Sequence, residues 1–377
     1  MPTGGAVGLY VHVPFCSAIC SYCNFNRGLL DEDLKRRYVS AVTREIERSA
    51  DGSRVDSIFF GGGTPSLLAV EEVARVLDAC RAAFDVASDA ETTLEMNPES
   101  CSRSYVAALL DTGINRISLG VQSFDDAELA RLGRAHTAAQ ARAAFAAVRA
   151  AGCENVSLDL MMWLPAQARA AFAASVEALL ALAPDHASLY MLELYPNAPL
   201  REEAARCGWS QAPDEDAVAM YLDAFSRTDA AGYRQYEISN VARAGRCSRH
   251  NLKYWQDGEW LGFGCGAHST RAGVRRKNVA ETVRYVEAVE RGAPATETCR
   301  RLSRDERLGD ALITGLRLVE GVHLATVERR YGVDVRARYG AEVRRFVDAG
   351  WMVDAAGRWR LTRPGMLVSN EVLGTFV

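Results

Sequence analysis

The sequence predicts an α/β protein. It reads as a partial (β/α)6 TIM-like barrel over residues 1–240, a connecting segment over 241–299, and a small, mainly helical, winged-helix-like domain over 300–377. Two observations predict the barrel. Six apolar strand-like runs alternate with helical stretches, as in a parallel sheet. The polar residues of those runs gather at their carboxyl ends. A barrel brings such ends onto one face, whereas an open sheet spreads them along a line.

The elements follow in order. "LYVHVPF" is a β run that ends in a cysteine loop, and "DLKRRYVSAVTREIERSA" is helical by spacing. "VDSIFF" is a strand that stops at "GGGTPS", and "AVEEVARVLDACRAAF" is its helix. "TTLEMNP" is followed by the helix "SYVAALLDTG", closed by glycine. "NRISLGVQ" precedes helices that run through "QARAAFAAVRAAG". "VSLDLMMW" and "ARAAFAASVEALLALA" form the fifth unit, and "HASLYMLEL" and "EDAVAMYLDAFSRTDAAG" the sixth. The strands are near-continuously apolar, as strands covered on both faces are. Beyond Arg300, "SRDERLGDALITGLRLVEGV" opens with a serine cap and acidic first turn. "LATVERRYG" and "VRRFVDAGWMV" are short helices and "GRWRLT" is a hairpin strand.

Composition sets limits. A hydrophobic content of 49% and a charged content of 24% are those of a globular chain. The net charge of −4 argues against a general nucleic-acid binder. Residues 271–363 nevertheless carry 20 Lys+Arg against 13 Asp+Glu, either a solvated surface or one that docks something acidic. The start "MPTGGAVGLYVHVPF" lacks the pattern of a signal peptide, and no run of 18 uncharged apolar residues predicts a membrane span. A cytoplasmic location is the expectation, with peripheral membrane contact left open. In that setting a tight cysteine cluster is a metal site rather than a disulfide framework.

The cluster is "FCSAICSYCNF", with Cys16, Cys20 and Cys23 inside eight residues. Thiolates bind zinc, iron–sulfur clusters and Cu(I). A structural zinc site wants four protein ligands, and here Asn24 and Phe25 follow instead of a fourth. Three thiolates suit a [4Fe–4S] cube with one iron left open for a small ligand. A zinc site completed by a distant histidine, and plain buried thiols, are the alternatives. "GFGCGA" (Gly262 to Ala267) has dinucleotide-loop spacing but no βαβ unit and no acidic residue at the right distance. His12, His136, His186 and His323 read as structural.

C-x3-C-x2-C with Tyr22 before the third cysteine resembles the signature of the radical S-adenosylmethionine superfamily. "LYVHVPFC", "FFGGGTPSLL", "GINRISLGVQSF", "LGRAHT", "YEISNVARAGRCSRHNLKYW" and "LGFGCGAHS" resemble the branch related to oxygen-independent coproporphyrinogen III oxidase, above all its haem-chaperone members. The resemblance implies that Cys16, Cys20 and Cys23 ligate the cluster. It places Tyr10, Tyr22, Gly62, Gly63, Thr64, Glu95, Gln122, Arg134, Asp159 and Met161 around S-adenosylmethionine. The residue chemistry agrees. Glycines after a strand let a ligand approach the backbone, carboxylates accept from ammonium or hydroxyl groups, and Arg134 suits a carboxylate.

The same resemblance links "HNLKYW" to haem. It makes His250 a candidate axial ligand, with Arg249 for the propionates and the Tyr254–Trp255 pair for the porphyrin face, if this loop folds over the barrel mouth. The C-terminal domain would cover that mouth. Departures are local. The oxidases carry a further cysteine where Phe25 stands, and a longer N-terminal extension. Met162 and Trp163 replace an aromatic–glycine pair, and Trp163 is expected to narrow the cavity. Tyr195, Pro196, Asn197 and Ala198 replace E-P-G-T. The favoured function is a haem chaperone that binds cluster, S-adenosylmethionine and haem, and works with a haem-acceptor protein and an electron donor. The alternatives are a radical enzyme of the same branch, either a methyltransferase or a coproporphyrinogen oxidase. Haem titration separates them.

Overall fold

A computed structural model describes residues 5–195 and 198–377. Six parallel strands lie side by side in chain order: β1 (Val7–Val13), β2 (Arg54–Gly62), β3 (Asp85–Met96), β4 (Arg116–Gln122), β5 (Val156–Met162) and β6 (His186–Met191). β1 is buried along nearly its whole length, because helices pack outside it and side chains fill the space inside. The outer helices are α1 (Glu32–Arg48), α2 (Val70–Ala83), α3 (Arg103–Thr112), α4 (Asp126–Arg131), α5 (Ala138–Ala150), α6 (Arg169–Leu182), α7 (Pro199–Cys207) and α8 (Asp214–Ala230). Their starts are coded locally. Asp31 accepts from the N–H groups of Asp33 and Leu34, and Thr137 and Gln140 form a reciprocal capping box. Gly113 closes α3 in the left-handed region at φ 107, as its place after "LLDT" predicts.

The sheet does not stop at six strands. β8 (Asn240–Ala242) pairs antiparallel with β6, and β7 (Arg234–Gln235) pairs antiparallel with β8 at the sheet margin. At the other edge β9 (Trp260–Phe263) pairs parallel with β1. A meander of β10 (His268–Arg271), β11 (Val274–Asn278) and β12 (Thr296–Arg301) follows it. The stretch expected to be a connector, 241–299, thus adds most of β8 on one side of the sheet and β9 to β12 on the other. Its strands are short and carry Arg and Lys, which hides the period-two pattern. "GFGCGA" ends β9 and turns into β10: Gly264 and Gly266 hold φ of 96 and 70, and a side chain at Gly262 would run into the His268 carbonyl.

Within this stretch, α9 (Arg249–Trp255) plugs the amino-terminal end of the barrel. Its first N–H groups, from Arg249 and His250, donate to Glu91 at 3.0 and 3.1 Å, a carboxylate at a helix N-terminus. After α10 (Thr282–Glu290) come α11 (Arg304–Gly315), α12 (Leu324–Tyr331) and α13 (Val335–Asp348). A three-stranded sheet of β13 (Val322–His323), β14 (Met352–Ala355) and β15 (Arg358–Leu361) completes the domain around buried Trp359. The winged-helix-like layout is as read. It is joined to the barrel edge by backbone bonds from Ile238 to Arg317 (3.1 Å) and from Val319 to Tyr236 (3.0 Å). Among the described residues, no helix is long and apolar enough to cross a membrane.

Candidate functional site

The carboxyl ends of β1 to β6 open into a cavity of about 570 Å³. The cysteine loop leaves β1 directly. Phe15–Cys16 pairs with Gly28–Leu29, while the N–H groups of Gly63 and Thr64 donate to Val13 and Phe15, each at 2.7 Å. A Cβ on Gly63 would lie 2.7 Å from the Phe15 carbonyl oxygen, so glycine is required for β2 to reach the loop this closely. Further along, Ser21 N–H donates to Leu132 and Leu200 N–H to Ser21. These bonds present Cys16, Cys20 and Cys23, all free thiols, to one space. Burial pushes the Cys16 and Cys23 thiols up, and the neighbouring thiols add to it. A bound metal charge would reverse that.

Of the ten residues expected around S-adenosylmethionine, nine line this cavity: Tyr22, Gly62, Gly63, Thr64, Glu95, Gln122, Arg134, Asp159 and Met161. Tyr10 stands one layer behind. Its ring lies against Gly61 and over Phe59, and its hydroxyl bonds to His12 at 3.1 Å. Glu95 accepts from Gly62 N–H at 3.1 Å. Burial, and then the Asp159 charge, push the Glu95 carboxyl up to about 8. Burial pushes Asp159 up to about 6, against the pull of the Ser188 hydroxyl and Arg116. Glu95 thus holds its proton at neutral pH while Asp159 is largely charged, and a cation or hydroxyl-rich ligand would draw Glu95 into the charged form as well. Arg134 spends its Nη donors on the Asn97 side chain and the Gly120 carbonyl, each at 2.8 Å, and on Cys20 Sγ at 3.4 Å. Its Nε has no partner. A guanidinium with no carboxylate bound to it, beside a thiol, is placed to take one from a ligand. Gln122 stands at φ 68 at the end of β4, a strained setting for a non-glycine residue, with its Oε1 taking a bond from Tyr190.

Of the "HNLKYW" motif, Asn251 and Trp255 line the wall, and the wall also holds residues that the sequence reading missed: Arg116, Asn97, Ser188, Glu237 and Arg317. Arg116 had a signal, since a guanidinium at the start of an apolar strand needs a buried partner. Arg317 had none. It comes from beyond α11, pairs with buried Glu237 at 3.3 Å and covers the Trp255 ring at 4.4 Å. The C-terminal domain thereby reaches the wall of the cavity.

Three expectations are corrected. His250 does not sit in a loop over the mouth. It is buried at the other end of the barrel, where Nδ1 bonds Ser57 (3.1 Å), Nε2 bonds Tyr254 (2.8 Å) and the ring stacks on Phe59. Burial, then Lys253 and Arg116, push its pKa down to about 3. It offers no free ring nitrogen to an iron in this arrangement. Arg249 is also apart from Trp255, tied to Asp89 at the amino-terminal end. Trp163 does not narrow the cavity: at φ 63 it turns outward and donates Nε1 to the Ala212 carbonyl at 2.8 Å. Of the E-P-G-T replacements, Tyr195 lines the rim and bonds Glu193, Ala198 is buried at the start of α7, and Pro196 and Asn197 lie outside the described residues.

A barrel with three thiols on the loop after its first strand, and with paired carboxyls and an arginine behind them, defines a protein arranged for an iron–sulfur cluster and a charged nucleoside-like ligand. Comparison with known proteins agrees. The radical SAM superfamily matches residues 10–179, and the HemN C-terminal domain matches residues 302–368. The Bacillus subtilis protein named heme chaperone HemW is 33% identical, with 98% of each chain covered. Its Mycobacterium tuberculosis H37Rv namesake is 35% identical over 99% of this chain and 95% of its own. The Mus musculus radical S-adenosyl methionine domain-containing protein 1 is 40% identical over 83% and 74%. Among solved structures, HemN of Escherichia coli, a coproporphyrinogen III oxidase described as a radical SAM enzyme, superimposes with a TM-score of 0.86 at 21% identity, over 98% of this chain and 90% of that one. It shares the fold. The chain belongs to the radical S-adenosylmethionine superfamily and, within it, to the family of the heme chaperone HemW.

Proposed function

We propose that this chain is a haem chaperone that holds a [4Fe–4S] cluster and S-adenosylmethionine at its barrel mouth and passes haem to an acceptor protein. The observation that carries the cofactor part is the single cavity shared by Cys16, Cys20 and Cys23 with Glu95, Asp159 and Arg134. The haem part rests on full-length relatives named as heme chaperones. The residues fit the cofactors. Among the described residues, no three His, Cys, Asp or Glu side chains close on one point as a single ion would require. Three thiols that line one cavity, with no fourth protein thiol beside them among the described residues, suit a cube with one iron left open. When bound, the reduced cluster supplies an electron to the sulfonium of S-adenosylmethionine. The chain's own part is to hold and orient. Gly62 and Gly63 give the ligand backbone contact, Arg134 takes its carboxylate, and Glu95 and Asp159 in their charged forms accept from its ammonium and hydroxyl groups. The cytoplasm is the proposed location, and an electron donor and an acceptor protein are the proposed partners.

The second reading, a radical enzyme acting on a small molecule, is favoured by the outer half of the cavity. Trp255, Arg317 and Tyr195 in its wall supply aromatic rings and a cation for a planar or anionic guest. One experiment tests both. The protein is reconstituted anaerobically and titrated with haemin, and S-adenosylmethionine cleavage is followed in parallel. Saturable haem uptake supports the chaperone. Cleavage with haem uptake no greater than that of an unrelated protein selects the enzyme.

A further inference from the structure

The larger of the two main cavities is not at the barrel mouth. A cleft of about 980 Å³ runs between the β7–β8 margin of the barrel and the C-terminal domain. Its walls include apolar and aromatic groups: Tyr236, Leu252, Leu318, Leu361 and Met366. Its rim carries Arg234, Arg243 and Arg360, all exposed. Arg243 lies over the Tyr233 ring at 4.8 Å and donates Nε to the Pro184 carbonyl at 3.3 Å. Among the described residues, no carboxylate is within ion-pair distance of these three. A fourth lining arginine, Arg363, is already committed to Asp229 at 2.8 Å and Gln235 at 3.0 Å.

The two cavities differ in charge. Around the cluster cavity, Arg27, Arg116, Arg134 and Arg317 stand among four acidic side chains, Glu95, Asp159, Glu193 and Glu237. In the cleft, four arginines face only Asp229 and Glu320, which leaves a surplus of two positive charges. A guest complementary to the cleft is therefore apolar in body and doubly anionic at one edge. Guanidinium groups bind carboxylates in pairs of parallel bonds, and mixed apolar–cationic clefts of this size bury a flat ligand well.

We propose that this cleft is the docking site of the tetrapyrrole, with the macrocycle against Tyr236, Leu318 and Leu361 and the two propionates on Arg243 and Arg360. The inference rests on the haem-chaperone reading and gives it a place. The cleft is separate from the cluster cavity, so haem and S-adenosylmethionine are held at once. It also lies across the junction with the C-terminal domain, so a shift of that domain against the barrel would open it and release the cargo.

The test is a haemin titration of the full chain, followed at the Soret band, with cluster content measured in each sample. The variants are the pair Arg243→Glu with Arg360→Glu, the cleft-filling Ala244→Trp at an exposed rim position, and Arg344→Glu as an exposed control outside the cleft. The expected result is about tenfold or greater loss of affinity in the first two, no change in the control, and equal cluster content in all. Wild-type uptake with equal affinity in every variant overturns the cleft and leaves the chaperone reading standing. No saturable uptake by the wild type overturns both.

Discussion

The backbone N–H of Gly62 donates to the Glu95 carboxyl across 3.1 Å. That bond ties the glycine turn after the second barrel strand to the acidic end of the third. A Cβ on Gly62 would lie 2.5 Å from the His12 ring, and the residue holds φ 117, so no other side chain keeps this turn. The backbone approach and the carboxyl line one cavity.

The cluster should depend on the loop and not on thiols in general. Cys16→Ala is expected to remove the iron and sulfide, about four of each per chain in the wild type. Cys80→Ala should retain them, since Cys80 is fully buried in the α2 packing. Iron and acid-labile sulfide analysis after anaerobic reconstitution decides it, and a full cluster in the Cys16 variant would sink the assignment.

Gly63→Ala probes the same loop through the backbone. The added methyl would press on the Phe15 and Val13 carbonyls at 2.7 and 2.9 Å, which cannot swing aside as a side chain can. Overpacking of this kind costs about 1–3 kcal/mol. The strain falls next to Cys16, so cluster occupancy should drop together with the melting temperature. A normal cluster with a normal melting temperature would refute the close approach.

Cofactor binding should weaken in Glu95→Ala and in Asp159→Ala, by about 1–3 kcal/mol each, because each removes a buried acceptor. Equilibrium dialysis of S-adenosylmethionine against the reconstituted protein measures it. Unchanged affinity in both variants would place the ligand elsewhere.

The paired carboxyls also predict a pH dependence for the ligand-free protein. Folded Glu95 keeps its proton up to about 8, whereas its ordinary value is 4.5, and Asp159 keeps its own up to about 6 rather than 3.8. Between these values the folded chain binds more protons than the unfolded one. Stability is therefore greatest below the ordinary carboxyl range and falls as pH rises through the folded values. Glu95→Gln should flatten the fall in melting temperature towards pH 8. A wild type whose stability rises across that window contradicts the assignment.

His250→Ala should act on the fold. It removes bonds to Ser57 and Tyr254 and a stacked ring from a fully buried place, a loss of about 2–4 kcal/mol. The melting temperature should fall, while the haem affinity of the folded fraction stays within about threefold, under 1 kcal/mol. Loss of haem with an unchanged melting temperature would restore His250 as a ligand.

By itself the sequence determined the six parallel strands, their order, the helix ends and many of the side chains that line the barrel cavity. Those are short-range properties. Apolar runs, caps and glycine turns act within a few residues, and side chains at strand ends reach one face once a barrel closes. Tertiary structure decided the rest. "HNLKYW" has the letters of a ligand motif, yet packing buries it at the amino-terminal end, where Glu91 caps its helix from 157 or more residues away. Trp163 stands next to the site in sequence and turns out of it because Ala212, 49 residues on, holds its indole. Arg317 joins the cavity wall, and the arginine-rimmed cleft exists, only because the C-terminal domain docks on the barrel edge. Such placements depend on contacts between distant segments. No local pattern encodes them, because the energy that fixes each one arises only after both partners are in place.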